Sequence, residues 1–181
     1  MNAYRYSIAS TLLIVSLCLA PLSLAQGKQD VNAMQSRLMQ EVRRELIMLP
    51  NYSLFDYLEF QVIDVDTVVL SGQVTKPFLK RDAENAIRSL ERVGKVVNKI
   101  EVLPLSPQDD RIRVAAYRAI FSKPGLERYG QMAVPPIHII VKNGKITLVG
   151  VVDNKLDKDL AGLAVQGLPA GALGRGAQQL G

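Results

Sequence analysis

The chain contains one cysteine, Cys18, and one histidine, His138, in 181 residues. Cys18 lies in an apolar leader that reads as removable, so the chain from Gln26 onward holds no thiol. A disulfide framework and a cysteine nucleophile are both excluded for that mature form. A lone histidine without a second histidine or cysteine is a poor metal ligand, and no nucleophile stands at a diagnostic spacing from it. His138 is therefore expected to be structural or surface-borne. Aromatic residues make up 6% of the chain and do not interleave with a basic patch, which excludes a nucleic-acid footprint. No glycine-rich loop opens a helix, so a phosphate cradle is excluded as well. Asp64, Asp66, Asp109, Asp110, Asp153 and Asp157 all fall in turns or at helix starts. Capping and solvation account for them better than paired acid–base chemistry. No catalytic residue, metal site or cofactor is expected.

What the amino terminus does contain is an export signal. Arg5 supplies a positive start, Thr11 to Leu22 an apolar core, and Ser23-Leu24-Ala25 the small residues read by a signal peptidase. Residues 1–25 are expected to be a signal peptide, with Gln26 as the mature start. A membrane anchor is the rival reading. However, the apolar run is about 12 residues, broken by Ser16 and Pro21, where a spanning helix needs about 20. Lipidation at Cys18 is disfavoured by Leu17, since small residues should precede such a cysteine. The formal net charge is +5, of which only Arg5 lies in the leader. That modest basic bias is compatible with an anionic membrane surface.

The rest of the chain uses one pattern twice. Val31, Met34, Leu38, Val42, Leu46 and Leu49 recur at helical spacing, and Pro50 stops the helix. Leu58, Phe60 and Val62 alternate as a strand, and Val68, Leu70 and Val74 return on one face. Gly72 marks a bulge or a close backbone approach. Pro77 opens a second helix carrying Phe78 or Leu79, Ala83, Ala86, Ile87 and Leu90, which Gly94 is expected to end. Val96, Val97, Ile100 and Val102 form a third strand with its alternation broken once. A polar stretch from Pro104 to Asp109 then separates the copies. Ile112, Ala115 or Ala116, Ala119 and Ile120 begin the second copy. Ile137, Ile139 and Val141 precede Asn143-Gly144, a strong hairpin signal, and Ile146, Leu148 and Val152 follow. Asp153 and Asn154 are placed to cap a helix through Leu156, Leu160, Leu163 and Ala164. Where a third strand should follow, residues 170–181 hold four glycines and no β-branched residue.

The expected class is α+β: two small αββαβ domains, each a three-stranded mixed sheet with two helices on one face, the second copy incomplete. The boundaries read as 26–103 for the first domain, 104–109 for the linker, 110–169 for the second, and 170–181 for a Gly/Ala-rich tail. On the first helix of copy two, Arg111, Arg113, Arg118 and Lys123 mix with Tyr117 and Phe121. That mixture fits either a membrane-facing surface or an ordinary surface helix whose aromatics pack inward.

The two stretches Asp66-Thr67-Val68-Val69-Leu70-Ser71-Gly72-Gln73-Val74 and Lys142-Asn143-Gly144-Lys145-Ile146-Thr147-Leu148-Val149-Gly150-Val151-Val152 resemble the BON family of bacterial envelope domains. So do Arg81-Asp82-Ala83 and Val93-Gly94-Lys95-Val96-Val97-Asn98-Lys99-Ile100. The first copy is similar over its whole length, the second from about Asp110 to Leu168. The resemblance implies a non-catalytic periplasmic protein that binds phospholipid membrane in support of envelope integrity or osmotic stress protection, with no cofactor. It also implies structural roles for Gly72, Gly94 and Gly150, and lipid contact through Arg113, Tyr117, Arg118 and Phe121. Anionic phospholipid or an envelope protein is the implied partner, with no nucleic acid. The alternative is a protein-interaction or secretion-accessory module, since family members also occur attached to larger envelope and secretion proteins. Cell-wall glycan binding would instead need an exposed aromatic platform, for which Tyr52, Phe55 and Tyr57 are the clustered candidates.

Overall fold

The computed structural model describes residues 22–63, 66–166, 168 and 179–180, with side chains from Ala33 onward except at 179–180. Most of the expected signal peptide (1–21, with Cys18), Asp64, and most of the tail (170–178 and 181) lie outside the described residues. Residues Met1–Arg37 and Leu38–Gly181 form two compact units. In the first, the described residues form the amino-terminal part of a helix, and both sequence copies lie almost wholly in the second.

Helix α1 (Leu22–Ile47) starts earlier than its apolar stripe indicates. It buries Leu38, Val42 and Leu46, while Met34 stays 46% exposed. Strands β1 (Tyr57–Ile63) and β2 (Thr67–Val74) pair antiparallel, with Leu58 opposite Gly72 and Phe60 opposite Leu70. Helix α2 (Pro77–Arg88) carries Pro77 in its first turn and buries Leu79, Ala83 and Ile87. It chooses Leu79 over Phe78, which is left 38% exposed. The helix ends at Arg88 rather than at Gly94. Ser89 N–H closes on the Asn85 carbonyl and Leu90 N–H on that of Ile87, and Gly94 N–H instead donates to Asp66 O at 2.9 Å. The third strand is broken, as its alternation foretells, into β3 (Lys95–Asn98) and β4 (Glu101–Val102). Both run parallel to β2. Residues 58, 60, 62, 68, 70 and 74 share one face of this sheet, and they meet both helices in one apolar core.

The second copy follows the same order. Helix α3 (Pro107–Phe121) starts inside the stretch read as a linker. Ser106 is its N-cap, accepting Asp109 N–H at 3.1 Å. After a four-residue helix, α4 (Glu127–Gly130), strands β5 (Ile137–Lys142) and β6 (Lys145–Gly150) form the expected hairpin. Both turn residues, Asn143 and Gly144, have positive φ, 53° and 78°. This is the geometry that matches strand twist in a two-residue loop. Helix α5 (Lys155–Gln166) is capped by Asn154. Its Oδ1 accepts Asp157 N–H at 2.9 Å while its amide donates to Asp157 Oδ2 at 3.0 Å, a reciprocal cap. Among the described residues the third-strand position holds the two-residue β7 (Gln179–Leu180), parallel to Val149-Gly150. The second copy is thus abbreviated where the glycine-rich tail replaces a strand-forming sequence.

Candidate functional site

The stripe Ile112, Ala116 and Ile120 turns one side of α3 into the core of copy two. Arg113 lies on that side too. At 5% exposure, its guanidinium donates to Val141 O at 2.8 Å and pairs with Asp110 at 2.5 Å. Arg113 therefore bolts α3 to the end of β5. Asp109, 1% exposed, does the same from the helix start: its carboxylate accepts Asn143 N–H at 2.9 Å and Gly144 N–H at 2.8 Å. These two residues fix the hairpin turn against α3.

The opposite side of α3 presents Arg111, Val114, Tyr117 and Arg118. Val114 is 44% and Tyr117 38% exposed. Tyr117 stacks obliquely on Phe121, ring centroids 5.0 Å apart. Phe121 in turn is half-buried against Gly130, where a Cβ would come within 2.9 Å of its ring. Arg118 is exposed, and its guanidinium has no partner among the described residues. Of the four residues singled out from sequence, the structure gathers Tyr117, Arg118 and Phe121 on or beside one exposed face. It turns Arg113 inward.

The aromatics considered for a glycan platform are used elsewhere. Tyr52 and Tyr57 lie 5.7 and 5.6 Å from the His138 ring, and Phe55 packs with Leu54 on the copy-two core. None forms an exposed platform.

Gly72 and Gly150 occupy the same place in the two hairpins. Each has positive φ, 112° and 140°. A Cβ would lie 2.1 Å from Tyr57 O at Gly72 and 1.8 Å from Pro136 O at Gly150. Only glycine fits a backbone this close at this φ. At Gly94 the added Cβ would meet the Asp66 carboxylate, 2.1 Å from Oδ2.

Two further buried carboxylates hold the fold together, Asp56, which the sequence did not single out, and Asp157, read there as a helix-start residue. Asp56, fully buried, accepts from Ser53 N–H and hydroxyl at 3.1 and 2.7 Å, and from Thr75 N–H and hydroxyl at 2.6 and 2.7 Å. Asp157 accepts from Tyr129 hydroxyl at 2.7 Å and Arg128 at 2.6 Å. Both oxygens of Asp56 are taken up by structural donors, and Asp157 Oδ2 also accepts from the Asn154 amide. Among the described residues no group of three or more His, Cys, Asp or Glu is placed to hold a metal ion, and no helix is long and apolar enough to cross a membrane.

The described residues thus build an αββαβ unit twice, the second copy abbreviated. The BON domain profile matches residues 36–104 and again 108–172, and the chain belongs to the BON domain family. BON domains are non-catalytic and typically periplasmic, and the family has a general envelope and phospholipid-binding role. No curated protein matches the chain. Among solved structures it is similar to the C-terminal domain of CdsD, the structural protein of the type III secretion system of Chlamydia trachomatis, at 13% identity. That match covers 79% of this chain and 96% of the other, with a TM-score of 0.28.

Proposed function

We propose that the chain is a non-catalytic periplasmic binding protein that meets anionic phospholipid through the outer face of α3 and thereby supports envelope integrity or osmotic stress protection. Residues 1–25 act in this reading as a cleaved signal peptide. The observation that carries it is one helical face with exposed Val114 and Tyr117 beside the unpaired guanidinium of Arg118. Cationic heads meet lipid phosphates, while the aromatic and aliphatic groups enter the interface. Phe121 supports the face by holding Tyr117, and Arg113 supports it from beneath by fixing α3 to β5.

Co-sedimentation with liposomes tests this. Binding should require anionic lipid and weaken with salt. It should fall about fivefold in Arg118→Ala, the equivalent of the ~1 kcal/mol that one cation near such a surface contributes. Equal binding to zwitterionic vesicles, or none from folded protein, would sink the reading. The chain would then be sought on a single envelope protein as an interaction or secretion-accessory module.

A further inference from the structure

The two copies meet along a seam built from the loop before β1. Leu54 O accepts Ile139 N–H at 2.8 Å, giving β5 an edge partner from copy one. Tyr57 packs with Leu103, Ile140 and Val149 in a small apolar cluster behind the second sheet. Across the rim, Glu101 accepts from Gln73 at 2.8 Å and from Lys142 at 2.5 Å. His138 sits inside this seam, 9% exposed, with the Tyr52 and Tyr57 rings against it. Its Nδ1 is buried and has no hydrogen-bond partner among the described residues.

We propose that His138 is a proton-sensitive latch: its protonation loosens the seam between the two copies. An imidazolium would carry its charge into a seam shielded from water, where burial penalises the charged form. The groups facing it are few. From the copy-one loop come Tyr52, the Asp56 carboxylate and the backbone carbonyls of Ser53 and Asp56, and from β1 comes Tyr57. On its own strand Lys142 is already paired with Glu101. Asp56 and the carbonyls favour the proton. Burial opposes it more strongly and holds His138 below the ordinary histidine value. Asp56 offers limited help because Ser53 and Thr75 already saturate it.

The sign follows from linkage. An opened seam returns the imidazole to water, where it titrates near 6.5. As pH falls through that value the open form takes up a proton first, so opening becomes more favourable down to the depressed value in the closed form. Each unit of depression multiplies the open-to-closed ratio tenfold. Opening releases Leu54 and Phe55 from the copy-two core and frees the β5 edge at Ile139. No other histidine competes for the effect.

The test is an NMR pH titration of the full chain from 7.5 to 4.5, following the His138 ring and the hydrogen exchange of the Ile139 amide. The expected result is a His138 midpoint below 6.5, with Ile139 protection lost over the same range. The Lys99 amide, bonded to Leu70 O within copy one, should keep its protection. In His138→Gln the acid-dependent loss at Ile139 should disappear. A His138 midpoint at or above 6.5, an Ile139 amide indifferent to that titration, or the same loss in His138→Gln would each overturn the proposal. Should the variant not fold, the midpoints in the unaltered chain decide alone.

Discussion

Changing Gly72 or Gly150 to alanine tests the doubled design at its two equivalent points. At both, φ lies where L-residues are strained, an effect of about 1–3 kcal/mol. The added methyl would also fall 2.1 Å from Tyr57 O or 1.8 Å from Pro136 O. These contacts are with backbone, so relief requires the strand pair to shift rather than a side chain to turn. Together the two effects should destabilise the fold by about 3 kcal/mol or more, a large fraction of the roughly 5–15 kcal/mol that holds a domain. Gly94→Ala meets only the Asp66 carboxylate, which can rotate, and should cost about 1 kcal/mol. Urea unfolding followed by circular dichroism would rank the three. Roughly equal losses at all three glycines, or a neutral Gly150→Ala, would refute the argument from backbone approach.

Three further outcomes follow from buried polar groups. Arg113→Ala strands the Val141 carbonyl and should lower stability by about 1–3 kcal/mol, whereas Arg118→Ala should stay within about 0.5 kcal/mol; thermal melts of both variants separate the anchor from the surface cation. Asp56→Ala leaves the donors of Ser53 and Thr75 buried without their acceptor and should cost about 3 kcal/mol or more, read by the same melts. Burial pushes the Tyr52 phenol up to about 12, above its unfolded value near 10. The stability this represents is present below pH 10 and lost as pH rises toward 12. Tyr52→Phe should flatten the alkaline limb of a stability–pH curve.

Strands and hairpins were legible because their signals are local. Alternation at Leu58, Phe60 and Val62, and Asn143-Gly144 with its two positive-φ residues, needs no distant partner to be read. The same holds for the broken third strand of copy one. Arg113 shows where local reading stops. It was grouped with Arg118 as a cation, yet it stands three residues before Ala116 and seven before Ile120, and so within the buried stripe; that spacing was the available signal. Asp56 is half local, since Ser53 stands three residues before it, but its other partner Thr75 lies across the β1–β2 hairpin. The seam was illegible for the same reason. Tyr52, Phe55 and Tyr57 look like a surface cluster in sequence, and only the fold brings Tyr52 and Tyr57 to His138 and Phe55 to the copy-two core.

The absence of tryptophan from the chain allows a direct test of membrane contact through α3. Tyr117→Trp places a single indole on the proposed face, and Met48→Trp places one at an exposed position in the turn just after α1, where Met48 is 74% exposed. On adding anionic vesicles, the emission at position 117 should shift to the blue and resist aqueous quenchers, while position 48 stays unchanged. A shift confined to position 48, or none at 117 under conditions where the protein co-sediments, would contradict the assignment of that face.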